Sequence, residues 1–254
     1  AACVALPAAG LPAWAERLRG RAWALILPLS IAVVVAAIAV LPSTADLLTW
    51  VALILVPPGC ALALGWAARG ARPWAAALAA PLLAIAWALP DDRLGQAAAT
   101  ALIAGSAITL GRLLAGAAPL QLLKAGVVAM AMVDAFLVFS NNLQAPNAVL
   151  VAASPGLGLP QLQSASFGQA GLGYGDFFAA AVVGGILAAE RRRQIAAAIA
   201  MVAVSVAWDQ LFLVYDVLPA TIPPAVVLVG MELWDRRDRA RGTVSRRRTP
   251  QPSP

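Results

Sequence analysis

The chain has 254 residues, of which 61% are hydrophobic and only 12% are charged, and its mean hydropathy is +0.82. Soluble domains carry about 25% charged residues, so the composition excludes an ordinary soluble globular domain. It indicates an all-α integral membrane protein, a polytopic bundle of helices that crosses the bilayer several times.

The formal charge of +6 and the pI near 10.6 do not indicate a nucleic-acid-binding protein. The basic residues lie at the ends of apolar runs and in the C-terminal tail, which is the pattern of membrane orientation. The chain has no His, and its two cysteines, Cys3 and Cys60, form no cluster with other ligand types. We therefore expect no metal and no cofactor. The first twenty residues lack a continuous apolar core, so we expect no cleavable signal peptide.

Apolar runs of roughly 20 residues, the length that crosses a bilayer as a helix, follow one another along the chain. They predict about eight transmembrane helices at residues 22–42, 47–67, 73–89, 95–116, 119–140, 171–190, 194–215 and 219–234.

The basic residues predict how these helices are oriented. With the N-terminus on one side of the membrane, that side receives all Lys and Arg except Arg93. The positive-inside rule then places both termini in the cytoplasm, most simply of a cell (plasma) membrane protein. The predicted divisions are a cytoplasmic N-terminal segment (1–21), two four-span halves (22–116 and 119–234) and a basic, disordered cytoplasmic tail (235–254).

Residues 141–170 form a long connection without a charged residue, and the predicted orientation places it outside. Long connections in compact bundles are often functional. Two interpretations stay open at this point: an ordinary external loop, or a segment that dips toward the bilayer and helps to admit a substrate.

Three acidic residues lie inside apolar runs, where a charge costs several kcal/mol. Asp134 lies roughly 9 Å and Asp176 roughly 8 Å below the outer ends of their helices, at a rise of about 1.5 Å per residue. Asp209 reaches a similar depth on the following helix. The sequence therefore predicts three carboxyl groups in one layer near the outer surface.

Two carboxyl groups at one depth on neighbouring helices are able to act as a pair. One acid, ionised, takes a proton from water as a general base, and the other, neutral, donates a hydrogen bond to a carbonyl oxygen. This arrangement suits amide hydrolysis. Gly173 and Gly175 flank Tyr174 directly before Asp176, and glycines allow the chain to unwind or another backbone to approach. An extended peptide would bind beside such a segment as an added strand.

The stretch Gly173-Tyr174-Gly175-Asp176, followed by two Phe, resembles the GxGD motif of intramembrane aspartyl proteases, the presenilin and signal peptide peptidase family. In that family a first aspartate lies on the preceding span, usually after a Tyr, and a Pro-Ala-Leu motif opens the last span. The matching positions here are Asp134, which follows Val133, and the motif formed by Pro219, Ala220 and Thr221, with Thr in place of Leu. The resemblance covers residues 119–234.

The resemblance implies an aspartic endopeptidase that cleaves peptide bonds within transmembrane helices of substrate proteins or remnant signal peptides. It implies Asp134 and Asp176 as the catalytic pair and assigns the motifs at 173–175 and 219–221 to substrate binding. The family has nine spans, and one further span would restore that plan. The cytoplasmic C-terminus is similar to that of the signal peptide peptidase branch.

Two alternatives stay open from the sequence. Asp134, Asp176 and Asp209 would also suit the ion site of a proton- or cation-coupled transporter. Prepilin peptidases carry a GxGD motif too, but their aspartates lie on the cytoplasmic side and a Lys usually follows the motif, whereas two Phe follow it here.

Overall fold

A computed structural model describes residues 1–167, 170–215 and 217–246, and the regular structure in these ranges is mostly helical. The elements are α1 (Ala2–Ala5), α2 (Ile26–Val40), α3 (Thr44–Leu62), α4 (Ala79–Ala88), α5 (Arg93–Ala117), α6 (Leu120–Phe139), α7 (Gln144–Ala152), β1 (Ser164–Phe167), β2 (Ala170–Gly173), α8 (Tyr174–Ala189), α9 (Gln194–Asp209) and α10 (Ile222–Arg246). Short 3₁₀ or π turns extend several of these helices, at Arg21–Leu25, Ala63–Ala67, Pro73–Leu78 and Gln210–Leu213.

Several helices have the length and composition of membrane spans, as the sequence predicts. Within the described ranges, five are long and apolar enough to cross a membrane: Arg21–Val40, Thr44–Ala67, Arg93–Ala117, Leu120–Phe139 and Gln194–Leu213. The apolar segments Pro73–Ala88 and Tyr174–Ala189 are shorter. A mostly helical chain with several helices able to cross a membrane is therefore confirmed, and the count of eight spans stays a prediction.

Two predicted boundaries differ from the observed ones. The sixth predicted span starts at residue 171, but the chain there is still in strand β2 and the helix begins at Tyr174. The last helix does not end near residue 234 but continues to Arg246, into the segment predicted to be disordered. A hydrogen bond from Trp234 Nε1 to Asp238 Oδ2, 2.9 Å long, links successive turns of this extension. Residues 247–254 of the predicted tail lie outside the described residues.

Helices α5 and α8 approach each other closely through glycines. A Cβ atom built on Gly185 would lie 2.5 Å from the carbonyl oxygen of Gly111, and one built on Gly111 would lie 2.4 Å from that of Ala181. Glycine is required at these positions because any side chain would collide with the facing backbone. Helices in lipid associate largely through such close packing of small residues. This contact fixes α8, which carries Asp176, against the centre of the bundle.

Part of the N-terminal segment packs inside the bundle, which the sequence does not predict. Val4 is fully buried, and α1 contacts α5, α8 and α9. A Cβ atom on Gly184 would lie 2.5 Å from the carbonyl oxygen of Cys3, so a glycine notch in α8 admits α1. The buried Gln194 side chain donates hydrogen bonds to the carbonyl oxygens of Val4 and Pro7. These hydrogen bonds give the backbone carbonyl groups of this segment partners, so that the segment is able to be buried.

The uncharged connection 141–170 contains structure that the sequence did not predict. Helix α7 contacts α2 and α3, and β1 pairs antiparallel with β2 so that Ser164 faces Gly173 and Ala165 faces Leu172. Leu162 and Ala165 are buried against α5. Residues 168 and 169 lie outside the described residues. The hairpin leads directly into α8 and places an extended strand immediately before Asp176.

The glycine contact between α5 and α8 gives a first prediction. Gly185→Leu should lower the free energy of unfolding by about 1–3 kcal/mol or more, because the side chain must displace the backbone of α5. Thermal unfolding in detergent measures it. Gly230→Leu is the matched control, since a Cβ at that position meets nothing within 4 Å. Equal stability of the two variants would contradict the assigned packing.

Candidate active site

Asp134 is buried on α6 and hydrogen bonded to the start of α10. The whole residue is only 6% exposed, and it lies among aliphatic side chains. Its Oδ2 accepts hydrogen bonds from Thr221 Oγ1 at 2.6 Å and from Thr221 N at 3.3 Å. A polar group taken out of water needs such partners, because leaving it unpaired costs on the order of 1–3 kcal/mol. The Asp134–Thr221 contact therefore fixes α6 to the head of α10.

The local sequence around Thr221 explains why α10 begins there. Pro223 and Pro224 occupy the first turn of the helix, where a missing N–H removes a donor that has no partner within the helix. Thr221 directly precedes the helix, so its own N–H is available to Asp134. Pro219 is buried and Ala220 half-buried in the preceding turn. The motif predicted from sequence thus contacts the first aspartate through its third residue.

Asp176 lies in the first turn of α8 and is half-buried. Its Oδ2 accepts a hydrogen bond from the N–H of Gly173, 2.9 Å long, which is the return half of a capping box. An acidic side chain in this position also interacts favourably with the positive end of the helix dipole. The carboxyl group is therefore held at the point where β2 ends and α8 begins.

The structure brings the two predicted acids and the third motif to the same end of the bundle, which we call the aspartate end. Helices α6, α8 and α10 contact one another pairwise. Met130, one turn before Asp134, lies 4.0 Å from a Cβ atom built on Gly175. The aspartate-bearing turn of α6 therefore faces the first turn of α8.

Each carboxyl group uses one oxygen for these contacts. Among the described residues, Oδ1 of Asp134 and Oδ1 of Asp176 accept no hydrogen bond, whereas both Oδ2 atoms do. The arrangement is a pair of half-paired acids on adjacent helices, which is able to hold a water molecule or polarise a carbonyl group.

The glycines before Asp176 leave the backbone open to approach, which is one of the two roles that the sequence suggests. Neither Gly173 nor Gly175 has a positive φ, so the backbone conformation does not demand glycine at either position. A Cβ atom on Gly173 would meet only Asp176 Oδ2, at 3.6 Å, and one on Gly171 would meet nothing within 4 Å. What these glycines provide is a stretch of backbone uncovered by side chains, beside Asp176.

Tyr174 connects this segment to the rest of the bundle. Its hydroxyl group and Ser106 Oγ on α5 are 2.9 Å apart, and its N–H donates to the carbonyl oxygen of Gln163, 3.0 Å away, which extends the hairpin ladder by one bond. Ser106 was not predicted from sequence, because a single Ser in an apolar helix gives no signal of its partner. The hydroxyl of Tyr174 is thus directed to α5.

Asp209 lies apart from the other two acids. It is exposed at the end of α9 and is the last residue before the turn Gln210–Leu213. The sequence estimate placed it at the same depth as Asp134 and Asp176, but depth along a helix does not determine which way the side chain points around the axis. The common depth of the three acids stays a prediction, and the exposure of Asp209 distinguishes it from the buried Asp134 and the half-buried Asp176.

No three His, Cys, Asp or Glu side chains gather in a metal-binding arrangement within the described ranges. Compared with protein-family models, with curated proteins and with solved structures, the chain has no match in any of the three.

The Asp134–Thr221 contact gives a prediction that does not depend on function. Thr221→Val keeps the shape of the side chain but removes the hydroxyl donor from a buried carboxyl, so the free energy of unfolding should fall by about 1–3 kcal/mol. Thr221→Ser retains the donor and should stay within about 0.5–1 kcal/mol of the parent chain. Chemical denaturation in detergent measures both. A Thr221→Val chain as stable as Thr221→Ser would refute the hydrogen bond.

Proposed function

We propose that this chain is an intramembrane aspartyl protease that hydrolyses peptide bonds within transmembrane helices of substrate proteins. The observation that carries the proposal is the convergence of three separate motifs. Asp134 on α6 accepts hydrogen bonds from Thr221 at the head of α10, and Asp176 lies in the facing first turn of α8, at the same end of an apolar bundle. A bundle that served only as a scaffold would not need two acids on adjacent helices at one end.

The proposed chemistry follows from the two carboxyl groups. Two close carboxyls do not both ionise readily, so the pair shares one proton. The ionised acid takes a proton from a water molecule, which attacks the scissile carbonyl carbon, while the neutral acid donates a hydrogen bond to the carbonyl oxygen. The amide nitrogen then takes up the proton that the base removed from water, the C–N bond breaks, and the two peptide ends are released. The Thr221 contact positions Asp134 and leaves its Oδ1 available for this step.

The segment before Asp176 is the proposed binding site for the scissile peptide. Strand β2 ends at Gly173, and no side chain covers the backbone at Gly171 or closely approaches it at Gly173. A substrate helix must unwind to expose an amide bond, and an unwound segment is able to pair with an exposed strand edge by backbone hydrogen bonds. The motifs at 173–175 and 219–221 would then border the bound peptide on two sides.

The substrates that we propose are transmembrane helices of other proteins or remnant signal peptides, in the cell membrane. Asp134 and Asp176 would lie near the outer surface, with both termini in the cytoplasm, as the distribution of Lys and Arg favours. The reaction requires no metal and no cofactor, since water and two carboxyls supply every group that it uses.

The central prediction concerns the two acids. Asp134→Ala and Asp176→Ala should each abolish cleavage of a single-span reporter helix by the reconstituted protein, because each variant lacks either the base or the proton donor. Asp134→Asn and Asp176→Asn should do the same while retaining an oxygen acceptor for Thr221 and Gly173. The parent chain should lose activity at both pH extremes, since one acid must be ionised and the other neutral.

Asp209→Asn is the matched control, because Asp209 is also an acid in an apolar helix but does not belong to the pair of Asp134 and Asp176. It should retain most of the cleavage activity. Cleavage that persists in both Asn variants of the pair would end the protease proposal. Loss of activity in Asp209→Asn with an intact fold would place that acid in the mechanism instead.

A proton- or cation-coupled transporter is the alternative that uses the same acids. The exposure of Asp209 removes one of the three groups that this alternative would use, but a carboxyl pair also suits proton transfer. A proteoliposome flux assay separates the two functions, since a transporter would move a cation or proton without cutting the reporter.

The proposed orientation has its own test. The exposed positions Leu157 and Arg236 lie in the connection 141–170 and in the second half of α10. With both termini in the cytoplasm, a membrane-impermeant maleimide added to intact cells should label Leu157→Cys and spare Arg236→Cys until the cells are opened. Native Cys3 and Cys60 are buried and give a low background. The reverse labelling pattern would show that both termini are outside and the acids lie near the cytoplasmic side, as in prepilin peptidases.

A further inference from the structure

Five charged side chains form a cluster at the end of the bundle opposite the aspartate end. Lys124 Nζ on α6 lies 2.6 Å from Glu190 Oε1 and 2.5 Å from Glu232 Oε1. Arg192, in the turn between α8 and α9, lies 3.1 Å from Glu190 Oε2 and 2.6 Å from Glu232 Oε1, and it also pairs with Asp235. We call these five residues the ion-pair cluster.

The cluster is partly withdrawn from water. The side chains of Arg192 and Lys124 are 8% and 12% exposed, and those of the three carboxylates are 21–29% exposed. Burial by itself would lower the pKa of Arg192, but hydrogen bonds and charges from Asp235 and Glu232 raise it overall. Removing one partner from such a set leaves an opposite charge in a poorly solvated position, which is far more disruptive than breaking an exposed pair.

The three helices that the cluster joins are the same three that meet at the aspartate end. On α6, Lys124 and Asp134 are roughly 15 Å apart along the axis, and Glu232 on α10 is roughly 17 Å from Thr221, the residue before that helix. Glu190 directly follows α8, roughly 21 Å from Asp176. Each helix is therefore held by directional polar contacts at both ends.

Between these two ends α6, α8 and α10 share a core of apolar side chains. The facing residues are aliphatic or small: Leu123, Val127, Met130, Val182, Val183, Ile186, Ala225, Val227, Leu228 and Met231. In lipid such surfaces have no hydrophobic force that favours one register over a neighbouring one. Ion pairs and hydrogen bonds are directional, so they distinguish one axial position from another.

We propose that the ion-pair cluster is a register lock: it fixes the axial positions of α6, α8 and α10 and thereby the separation of Asp134, Asp176 and Thr221 at the far end. Lys124, Glu190, Arg192, Glu232 and Asp235 are positioning residues in this scheme and touch no substrate. The register lock itself does not depend on the protease function, whereas its consequence for catalysis rests on the proposed protease function.

The test compares two neighbouring arginines. Arg192→Met removes the central cation of the cluster, and Arg191→Met makes the same substitution, with the same loss of charge, at an exposed residue next to it. Spin labels on cysteines at Phe136 and Leu172 report the separation of α6 from the start of α8, and labels at Phe136 and Val226 report that of α6 from α10. These three positions are exposed. Cys3 and Cys60 are replaced by Ala throughout.

Arg192→Met should shift or broaden both distance distributions measured by pulsed EPR, and Arg191→Met should leave them as in the parent chain. Unchanged distances in Arg192→Met would overturn the proposal. Should Arg192→Met fail to fold, Glu232→Gln removes one charge at nearly constant shape and should broaden the same distributions. Parent-like distances in Glu232→Gln would then overturn it. Lys124→Met should broaden the same distance distributions, whereas Lys124→Arg, which retains the charge and the donors, should leave them as in the parent chain.

The catalytic consequence is measured with the same variants and the reporter helix. A displacement of about 1 Å between catalytic groups lowers turnover by up to about a hundredfold. Arg192→Met should therefore reduce kcat about tenfold or more and leave KM nearly unchanged, because the substrate does not contact the cluster. Arg191→Met should retain the parent kcat. If the parent chain cuts no reporter, the protease function has failed, and the EPR distances still decide the register lock.

Discussion

The constraint on which the site depends is the burial of a carboxyl group, Asp134, in the apolar core of a helical bundle. A carboxyl in this environment is tolerated only with hydrogen-bond partners, and the partner here is Thr221 at the head of another helix. Satisfying Asp134 therefore determines where α10 must begin relative to α6. The two prolines that follow Thr221 fit the same requirement, since they start a helix without adding N–H groups that need partners.

The position of the second acid is determined by a different kind of contact. Asp176 stands in the first turn of α8, and α8 is fixed against α5 by glycines that bring the two backbones within collision distance of any side chain. The hydrogen bond between Tyr174 and Ser106 adds a directional contact close to the acid. Close packing thus sets the distance between α8 and the bundle centre, while the polar contacts set the rotation of α8 about its axis and its height along that axis.

Much of the fold follows from the sequence, because membrane spans are encoded by local composition. Runs of about 20 apolar residues predicted a helix in each of eight places, and the motifs around Asp134, Asp176 and Thr221 predicted which helices meet. The α1 insertion was not predictable, since it depends on a glycine in α8 and a glutamine in α9, both remote in sequence. The hairpin and the ion-pair cluster were missed for the same reason.

The sequence predicts the depth of Asp209 but not the direction of its side chain. Counting residues from the end of a helix gives a height along the axis, and this count gives Asp209 a height similar to that of the other acids. It gives no rotation about the axis, and adjacent residues on a helix differ in direction by about 100°. Only the packing of α9 against its neighbours determines that direction, and this packing leaves Asp209 exposed.

Both candidate acids also have structural roles, which bears on how their function is interpreted. Asp176 accepts a hydrogen bond that helps α8 to start, and Asp134 accepts two that hold α10. A helix cap or a buried tether needs only an oxygen acceptor, and an asparagine side chain supplies one. General acid–base chemistry needs a group that exchanges a proton, which an amide does not do. An acid that served only the fold would be replaceable by Asn without consequence, so the chemistry proposed for this pair depends on the proton and not on the acceptor.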